Sequence, residues 1–424
     1  MKIKVVNLRS DKAEMAVAEL TAALSQFSAE QPSFLLVLFP KEAVAEDLRS
    51  LLTAAYPDTV IAGIRCNHGT FGRDQLYGFS SNVSKDSSAS PAPAKSRFSV
   101  KKFAEPQSPV SPIFVQAFYD AKGAFSCYAR SCQQSNDVCI SDTLNILGSD
   151  ADRAGVMPNL LLLFNTQGTT EGIKSEITNT LGISISIIGG IVDNSSGPVT
   201  FFTRDRVVET GEGYLLVSMY TPCEIKLDYI SEVKMVSCLG RVTSSHDLIL
   251  NEIDNKPAAD MFFSEAGIDS TGIEIEELER LLSSFNRDYF LAFNTCDFEE
   301  MSHYTVSVVN SITPNRGVVL NSHFHQGEKI FIMRATDEDM VGCFEVAPLD
   351  DYRITGVLHI MCESFCRGSK AVVFPNVVES VRKYHGDQEY LVYSAAGEII
   401  GTTESEVKLE NCTVCTVSFL EKDR

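Results

Sequence analysis

A strand–helix–strand pattern between Asn159 and Asn194 constrains the fold of this chain more than any other feature. Leu160–Phe164 is too short for a helix and too uniformly apolar for a half-exposed strand, so we predict a buried strand of an α/β layer. A helix-like segment separates it from a second apolar run, Ile185–Ile188, which is followed by Gly189 and Gly190. Glycine lets the backbone adopt positive φ and lets another group approach the main chain closely. The pattern predicts one βαβ unit that ends in a glycine turn open to a ligand.

The same pattern occurs at Phe34–Gly69 and at Gly356–Gly401. Segments of roughly 35 to 45 residues suit a right-handed βαβ crossover, and their wide separation indicates duplicated units rather than a contiguous repeat array. The sequence therefore predicts a mixed α/β (α+β) fold in which duplicated βαβ-containing units form mixed sheets flanked by helices. An amphipathic helix at Gly272–Phe285 begins with acidic residues and marks a boundary between two parts, residues 1–271 and 272–424.

Further strands are predicted between these units. Ile113–Arg130 alternates in hydrophobicity around a Lys-Gly turn, which predicts a β-hairpin. Pro198–Val208 and Tyr214–Tyr220 are predicted to pair with each other across the polar turn between them.

The segment Ser80–Pro112 has a different composition, rich in Ser, Pro and Lys. Such a composition cannot build a core, so we predict a flexible insertion in the first part. A locally basic, Ser-Pro-containing loop in an acidic protein can be a phosphorylation target or a docking segment, although most insertions of this kind are only tolerated loops.

The net charge argues against two classes of partner. The chain has 36 Lys and Arg against 56 Asp and Glu, which gives a formal net charge of -20. Nucleic acid and anionic membranes would be repelled over most of such a surface. No run approaches the roughly 20 apolar residues of a transmembrane helix, and the start of the chain turns polar too early for a signal peptide. We therefore expect a cytoplasmic protein whose 12 cysteines are reduced and serve mostly as small core residues.

Several segments of the first part resemble the amino-terminal part of the FIST family of sensory modules. The strand LLLLFNTQG and the later SIIGGIVDN are similar to that family's strand and to its Gly-Gly turn followed by an acidic residue, here Gly189, Gly190 and Asp193. Gly240–Thr243 and Asn251–Ala258 resemble a second motif of the family, and the latter segment is the more specific of the two.

The second part resembles the FIST C part of the family. Val357–Gly368 is similar to its strand ending in Cys-x-x-Arg-Gly, and SAAGEIIG, with Gly397 and Glu398, is similar to its Gly-Glu-Ile-Gly turn. Cys362 and Arg367 stand farther apart than in the usual pattern, so either the chain has a short insertion or Cys366 replaces Cys362. The resemblance covers nearly the whole chain.

The resemblance implies a cytoplasmic, non-catalytic sensory protein that binds a small ligand, with amino acids the usual suggestion. No F-box and no kinase, cyclase or methyl-accepting segment is recognisable here, so a ligand signal is expected to pass through a separate protein partner. Two alternatives stay open. One is a protein-interaction adaptor linked to ubiquitin-ligase machinery, and the other is a haem-binding gas sensor, because some relatives of the family bind haem.

Two glycine turns and two arginines are the predicted ligand-binding residues. Backbone N–H groups and the Glu398 carboxylate can meet a ligand's carboxylate and ammonium group, and an arginine can hold a carboxylate in a bidentate fork. The alternatives are that the glycines only make tight turns and that the arginines form ion pairs. The predicted set is Gly189, Gly190, Asp193, Arg241, Arg367, Gly397 and Glu398.

Neither catalysis nor a metal site is predicted. The chain carries no nucleophile elbow, P-loop, dinucleotide fingerprint or zinc-protease helix. Cys412 and Cys415 are interpreted as strand residues on opposite faces and lack a second ligand pair. His323 and His325 are predicted on one face of a strand, an arrangement that suits a metal but is more common on a solvated surface, and His359 is predicted to be a hydrogen-bonded core residue.

Overall fold

The computed structural model confirms the mixed α/β fold class. The predicted insertion, Arg367 and most of the helix predicted between Phe164 and Ile185 lie outside the residues that the structure describes. The structure describes residues 1–10, 12–67, 69–73, 75–77, 112–132, 141–149, 157–169, 173, 176–177, 185–195, 197–231, 233–265, 267–285, 289–294, 304–320, 322–366, 374–402, 405–410 and 412–423.

The helices of the described chain flank the sheets. They are α1 Ala13–Phe27, α2 Ala45–Ala55, α3 141–149, α4 Ala258–Glu265, α5 Ile275–Phe285, α6 Asp337–Gly342 and α7 Phe374–His385.

The strands are numbered in chain order. They are β1 Lys2–Leu8, β2 Phe34–Phe39, β3 Val60–Arg65, β4 Phe71–Gly72, β5 Ile113–Tyr119, β6 Ala124–Ser131, β7 Leu160–Asn165, β8 Ser186–Ile191, β9 Val199–Thr203, β10 Val207–Thr210, β11 Gly213–Tyr220, β12 Glu224–Ser231, β13 Val233–His246, β14 Ile249–Ile253, β15 Lys256–Pro257, β16 Tyr289–Asn294, β17 Tyr304–Ser307, β18 Val309–Ile312, β19 Val318–Leu320, β20 Lys329–Ala335, β21 Tyr352–Cys362, β22 Tyr390–Ala395, β23 Glu398–Thr402, β24 Ser405–Glu410 and β25 Thr413–Lys422.

Each of the three predicted βαβ units contributes a parallel strand pair to a different sheet. The pairs are β2 with β3, β7 with β8, and β21 with β22. Sheet I has the order β1-β5-β2-β3-β9-β10, sheet II has β24-β23-β8-β7-β11-β6, and sheet III has β12-β25-β21-β22-β4. In all three sheets the first strand of the pair is also hydrogen bonded to an antiparallel strand, β5, β11 or β25.

Each unit also gives its next strand to another unit's sheet. After the parallel pair of sheet I, β4 pairs with β22 of sheet III. After the pair of sheet II, β9 pairs with β3 of sheet I, and after the pair of sheet III, β23 pairs with β8 of sheet II. The three units therefore exchange strands in a closed cycle.

A fourth sheet, sheet IV, lies along the chain between the units of sheets II and III. Its order is β17-β16-β20-β13-β14-β19-β18, with β15 paired to β14. The helices α4 and α5 pack against it through Phe262, Phe263, Leu278 and Leu282. Strand pairing here crosses the predicted boundary between residues 271 and 272, because β13 is hydrogen bonded to β20.

The central core forms where sheets I, II and III face one another. Alternate residues of a strand point to opposite faces, and β2 illustrates the result. Leu36 and Leu38 belong to the central cluster, together with residues of all three sheets, whereas Leu35 and Val37 pack on the side of α1 and α2. This two-sided burial explains why the parallel strands are apolar throughout.

Three local predictions are wrong. The strands β5 and β6 exist but do not form a hairpin, because β5 pairs with β1 and β2 in sheet I and β6 pairs with β11 in sheet II. The strand β11 pairs with β6 and β7, while β9 pairs with β10. Gly189 and Gly190 lie inside β8 rather than in a turn after it.

No helix of the described chain is long and apolar enough to cross a membrane.

Candidate functional site

Two of the predicted glycine segments, far apart in the sequence, lie side by side in sheet II. In the antiparallel ladder between β8 and β23, Glu398 is opposite Gly190 and Ile399 is opposite Gly189. The Ile191 N–H donates to the Gly397 carbonyl at 2.8 Å, and the Ala396 N–H donates to the Ile191 carbonyl at the same distance. The structure therefore brings together the two segments that the sequence singled out.

Close packing explains why both positions in β8 are glycine. A Cβ on Gly189 would lie 1.6 Å from the Leu163 carbonyl oxygen. A Cβ on Gly190 would lie 2.5 Å from the Cβ of Ala395 and 3.0 Å from Cγ2 of Ile360. The glycines allow close approach of the neighbouring strands, and neither has positive φ.

Glu398 is the most unusual side chain of this region because it is a fully buried acid. It is 0% exposed, and its Oε2 accepts a hydrogen bond of 2.7 Å from Oγ1 of Thr413. Within the described part of the chain, Oε1 of Glu398 has no hydrogen-bond partner. A buried polar atom in that condition requires an explanation, since almost all such atoms are paired in folded proteins.

The protonation state of Glu398 follows from its surroundings. Burial raises the pKa of the Glu398 carboxyl group well above its ordinary value, and the adjacent Cys362 raises it further. The hydrogen bond from Thr413 acts in the opposite direction but is the weaker effect. These surroundings therefore favour the protonated, neutral form of the Glu398 carboxyl group.

A second buried polar group lies near the carboxyl ends of the parallel strands. The Tyr393 side chain is 0% exposed, and its hydroxyl group has no hydrogen-bond partner among the described residues. Burial raises the pKa of Tyr393 well above its ordinary value, and the neighbouring Cys66, Glu363 and Asp193 add to the shift. Asp193 and Glu363 are only partly buried.

We call Gly190, Asp193, Glu363, Tyr393 and Glu398 the seam site. Asp193 follows β8, Glu363 follows β21, and Tyr393 lies on β22, so the site joins sheets II and III. Oδ1 of Asp193 accepts the Ser195 N–H at 2.9 Å. In α/β proteins, ligands bind at the carboxyl ends of parallel strands, which is where three of these residues lie.

The structure does not bring Arg241 to the seam site. Arg241 lies in β13 of sheet IV, and its Nη1 donates to the Gly327 carbonyl at 2.7 Å. Its N–H donates to Oδ1 of Asp254 at 3.0 Å, and Gly240 beside it has a φ of 142°. These contacts join the middle of β13 to Asp254, just after β14, and to Gly327, just before β20, and the guanidinium group bonds a backbone carbonyl rather than a carboxylate.

The sequence did not single out Tyr393, Glu363 or Thr413 as functional residues. Thr413 is next to Val414, which is opposite Met361 in the ladder of β21 with β25, so its hydroxyl reaches Glu398 only through long-range pairing. Tyr393 occupies an ordinary aromatic position within an apolar strand, and no local signal distinguishes it. Glu363, directly after the strand and before the Cys-Arg-Gly motif, was the one position that the motif itself could have indicated.

Two buried histidines, His359 of β21 and His385 at the end of α7, form a hydrogen-bonded chain, as predicted for His359. The Nε2 atoms of His359 and His385 lie 3.0 Å apart. Nδ1 of His359 lies 2.8 Å from Oγ1 of Thr416, and Nδ1 of His385 lies 2.7 Å from Oε1 of Gln388. All four ring nitrogens are engaged, so neither imidazole has a nitrogen available for haem iron.

Metal binding receives no support from the described residues. No group of three or more His, Cys, Asp or Glu side chains in this part of the chain has a geometry that could hold a metal ion. The prediction that His323 and His325 lie on a strand is wrong, because β19 ends at Leu320. Nδ1 of His323 lies 3.1 Å from the Asp247 carbonyl oxygen.

A small cavity lies on the other face of sheet II, between α3, β7 and β11. Its volume is about 10 Å³, and Leu144, Leu163 and Leu216 are among the residues that line it. Ligand pockets have volumes of roughly 300 Å³ or more, so this cavity is far too small for a metabolite.

No family model matches this chain, and no curated protein matches it in sequence. The candidate site is therefore defined by its own geometry: two buried side chains that each have one oxygen without a hydrogen-bond partner among the described residues, and two partly buried acids where two sheets meet.

Proposed function

We propose that this chain is a non-catalytic sensory protein of the FIST type that binds a small molecule at the seam site and signals through a separate protein partner. One observation carries the proposal, the fully buried Glu398 whose Oε1 has no hydrogen-bond partner among the described residues. A ligand donor at this position would satisfy that oxygen. The resemblance of the SIIGGIVDN and SAAGEIIG segments to FIST motifs supports the same site, because these segments pair with each other.

The chemistry of the seam site favours a ligand with an amino group. A cation beside Glu398 offsets the penalty for ionising a buried acid, so binding converts a neutral acid into an ion pair. Asp193 and Glu363, which act electrostatically on Tyr393, add negative potential to the seam site, which favours the same charge. An amino acid meets these requirements through its ammonium group.

A cytoplasmic location belongs to the same proposal. The cysteines in the described ranges are free thiols. A chain with many free and mostly buried thiols suits a reducing compartment. The net charge of -20 suits a protein that signals to another protein rather than to nucleic acid or an anionic membrane.

The proposal is tested by ligand binding to the purified full-length chain. Native mass spectrometry identifies any small molecule that co-purifies, and a thermal-shift screen of amino acids and amines follows. A ligand present at 100 times its Kd stabilises the folded protein by about 2.7 kcal/mol, which a thermal shift detects easily.

Two variants locate the site. Glu398→Gln and Asp193→Asn should reduce the ligand-induced shift, whereas Glu379→Gln, on the exposed face of α7, should retain it. An unchanged shift in both site variants would show that the ligand binds elsewhere. Failure to find any co-purifying or screened ligand would contradict the sensory function itself.

A further inference from the structure

The hydrogen-bonded chain through His359 and His385 has a defined direction when both imidazoles are neutral. Nδ1 of His385 lies 2.7 Å from Oε1 of Gln388, and a carboxamide oxygen only accepts, so this nitrogen carries a hydrogen. A neutral imidazole has one N–H, so Nε2 of His385 accepts, and Nε2 of His359, 3.0 Å away, donates to it. Nδ1 of His359 therefore accepts from the hydroxyl group of Thr416 at 2.8 Å. Every hydrogen of the chain points from β25 towards the end of α7.

Packing holds both rings in this chain. His359 is 0% exposed and His385 is 5% exposed. The edge of the Phe344 ring meets His359, with centroids 5.3 Å apart, and Tyr390 stacks on His385, with centroids 4.4 Å apart. The Gln388 N–H donates to the His385 carbonyl at 2.9 Å, which keeps the Gln388 side chain beside the ring. A proton that binds to this pair must therefore be accommodated by the chain of hydrogen bonds rather than by water.

His385 is the better proton-binding residue of the two. It lies in the last turn of α7, where the free carbonyl groups favour a cation, and the face of Tyr390 favours a cation as well. Burial lowers the pKa of both imidazoles. The pKa of His359 is lowered well below its ordinary value, and a charge on His385 lowers it further, whereas the hydrogen bond to Gln388 raises the pKa of His385. The first proton therefore belongs on His385.

Charged groups on the elements around the pair are paired with one another or exposed to water in the described part of the chain. The pairs are Lys226 with Asp228 of β12, Lys4 of β1 with Glu389, Arg73 with Asp387, Arg353 of β21 with Glu421 of β25, and Lys234 of β13 with Asp339 of α6. On α7, Glu379 and Lys383 are exposed, and Arg382 donates to a backbone carbonyl of β4. The phenol group of Tyr384 bonds to the backbone of Val346. A new charge on the pair therefore acts first on the hydrogen bonds of the chain itself.

We propose that His385 binds a proton on acidification and that His359 changes its tautomer in response, which reverses the direction of the chain. Nε2 of a protonated His385 carries a hydrogen, so Nε2 of His359 must become the acceptor. His359 stays neutral, and its own hydrogen is then on Nδ1, which donates to the hydroxyl oxygen of Thr416. The chain gains one proton in total and keeps its three hydrogen bonds. The inference does not depend on the proposed ligand.

The reversal carries the protonation of a helix across sheet III. It releases the hydroxyl hydrogen of Thr416 from His359. Asp228 is opposite Thr416 in the ladder of β12 with β25, and directly opposite residues lie on the same face of a sheet. A carboxylate oxygen accepts more than one hydrogen bond, so Asp228 can take the released hydrogen while it keeps its ion pair with Lys226. The state of His385 thus passes through β21 and β25 to the edge strand β12.

Nitrogen NMR of the histidine rings reads both tautomers directly. The full chain is labelled with nitrogen-15 histidine, and the signals of His359 and His385 are assigned among the seven histidines by their loss in His359→Gln and His385→Gln. At mildly alkaline pH we expect Nε2–H for His359 and Nδ1–H for His385. As pH falls, His385 should become protonated on both nitrogens, and His359 should switch to Nδ1–H over the same pH range.

Three results would overturn the proposal. The opposite tautomers at alkaline pH would contradict the direction of the chain. A His385 that stays neutral at every pH at which the protein is folded would contradict the binding of a proton. A His359 that keeps one tautomer while His385 titrates, or that switches in the His385→Gln variant, would contradict the coupling. Circular dichroism of each sample shows the pH range in which the protein is folded.

Two hydroxyl deletions on β25 test the far end of the chain. Thr416→Val removes the group that accepts from the switched His359, so it should move the half-protonation of His385 to lower pH by about 0.4–1 unit, the equivalent of one net hydrogen bond. Ser418→Ala is the matched control, because Ser418 lies on the same face two residues along, is equally buried, and its hydroxyl group has no hydrogen-bond partner among the described residues. Its midpoint should equal that of the wild type. An unchanged midpoint in Thr416→Val, or equal shifts in both variants, would overturn the role of Thr416.

Discussion

Replacing Glu398 by glutamine should stabilise the unliganded protein at neutral pH, and the gain should grow with pH. The folded-state pKa of Glu398 is raised well above 4.5, its ordinary value. The contribution of the Glu398 carboxyl group to the free energy of unfolding is therefore fully present below about pH 4.5. It is lost as pH rises towards the folded-state pKa. In that range the unfolded chain has released the Glu398 proton while the folded chain still holds it.

The size of the effect follows from proton linkage. One proton of difference between the folded and unfolded states changes the free energy of unfolding by about 1.4 kcal/mol per pH unit. At pH 5.5, one unit above the unfolded value, about nine tenths of that slope is reached, or about 1.2 kcal/mol per pH unit. Glutamine has a similar shape and does not ionise. The difference in the free energy of unfolding between variant and wild type therefore isolates the contribution of the Glu398 proton.

Urea unfolding between pH 5 and 8 measures the difference. The chain has no Trp, so far-ultraviolet circular dichroism follows the transition. Glu379→Gln, on an exposed helix face, is the matched control for the same substitution outside the site. A flat difference for Glu398→Gln, or one that falls with rising pH, would mean that Glu398 is ionised in the folded protein and would refute the reasoning.

The remaining predictions concern packing and the histidine pair. Gly189→Ala should lower the free energy of unfolding by about 3 kcal/mol, because its Cβ has no space. Gly148→Ala, with nothing within 4 Å of the added carbon, should instead raise it by about 0.4–1 kcal/mol in the same urea titration. Phe71→Ala removes a fully buried ring and should cost about 3–5 kcal/mol in thermal unfolding. Burial lowers the pKa values of His359 and His385 below 6.5. The stability that the two neutral imidazoles contribute is therefore present above about pH 6.5 and is lost as pH falls. Replacing both by Gln should make the free energy of unfolding less dependent on pH on the acid side.

The strands of the core could be predicted because a buried strand is recognisable from its own apolar residues. A run such as Leu160–Phe164 is apolar on both faces only if both faces are covered, and this condition identified all three parallel pairs. The partners of the intervening strands could not be predicted in this way. The turn at Gly123 has hairpin chemistry, yet the strands on either side of it enter different sheets. A turn signal shows where the chain reverses and does not show which edge the next strand will join.

The candidate site shows the same limit. Glu398 and Gly190 were found through their motifs, but their motifs suggested turns, whereas the structure places both in paired strands. The reason is that glycine serves both positive φ and close approach, and only the neighbouring strand distinguishes the two uses. The polar groups of Tyr393 and Thr413 acquire significance only from burial and from partners in other strands, which no local pattern encodes.

The strand exchange gives a physical reason why a ligand at the seam site would affect the whole protein. Three of the four sheets contain strands from both sides of the predicted boundary between residues 271 and 272. The strand that carries Glu398 belongs to sheet II, although the parallel pair preceding it belongs to sheet III. An ion pair formed at Glu398 would therefore stabilise the pairing of β23 with β8 and the packing of sheet III at once. Because each part supplies edges that the other part needs, the free energy of binding would be shared between them. A sensory protein requires coupling of this kind, since a ligand signals only by stabilising one arrangement of the chain over another.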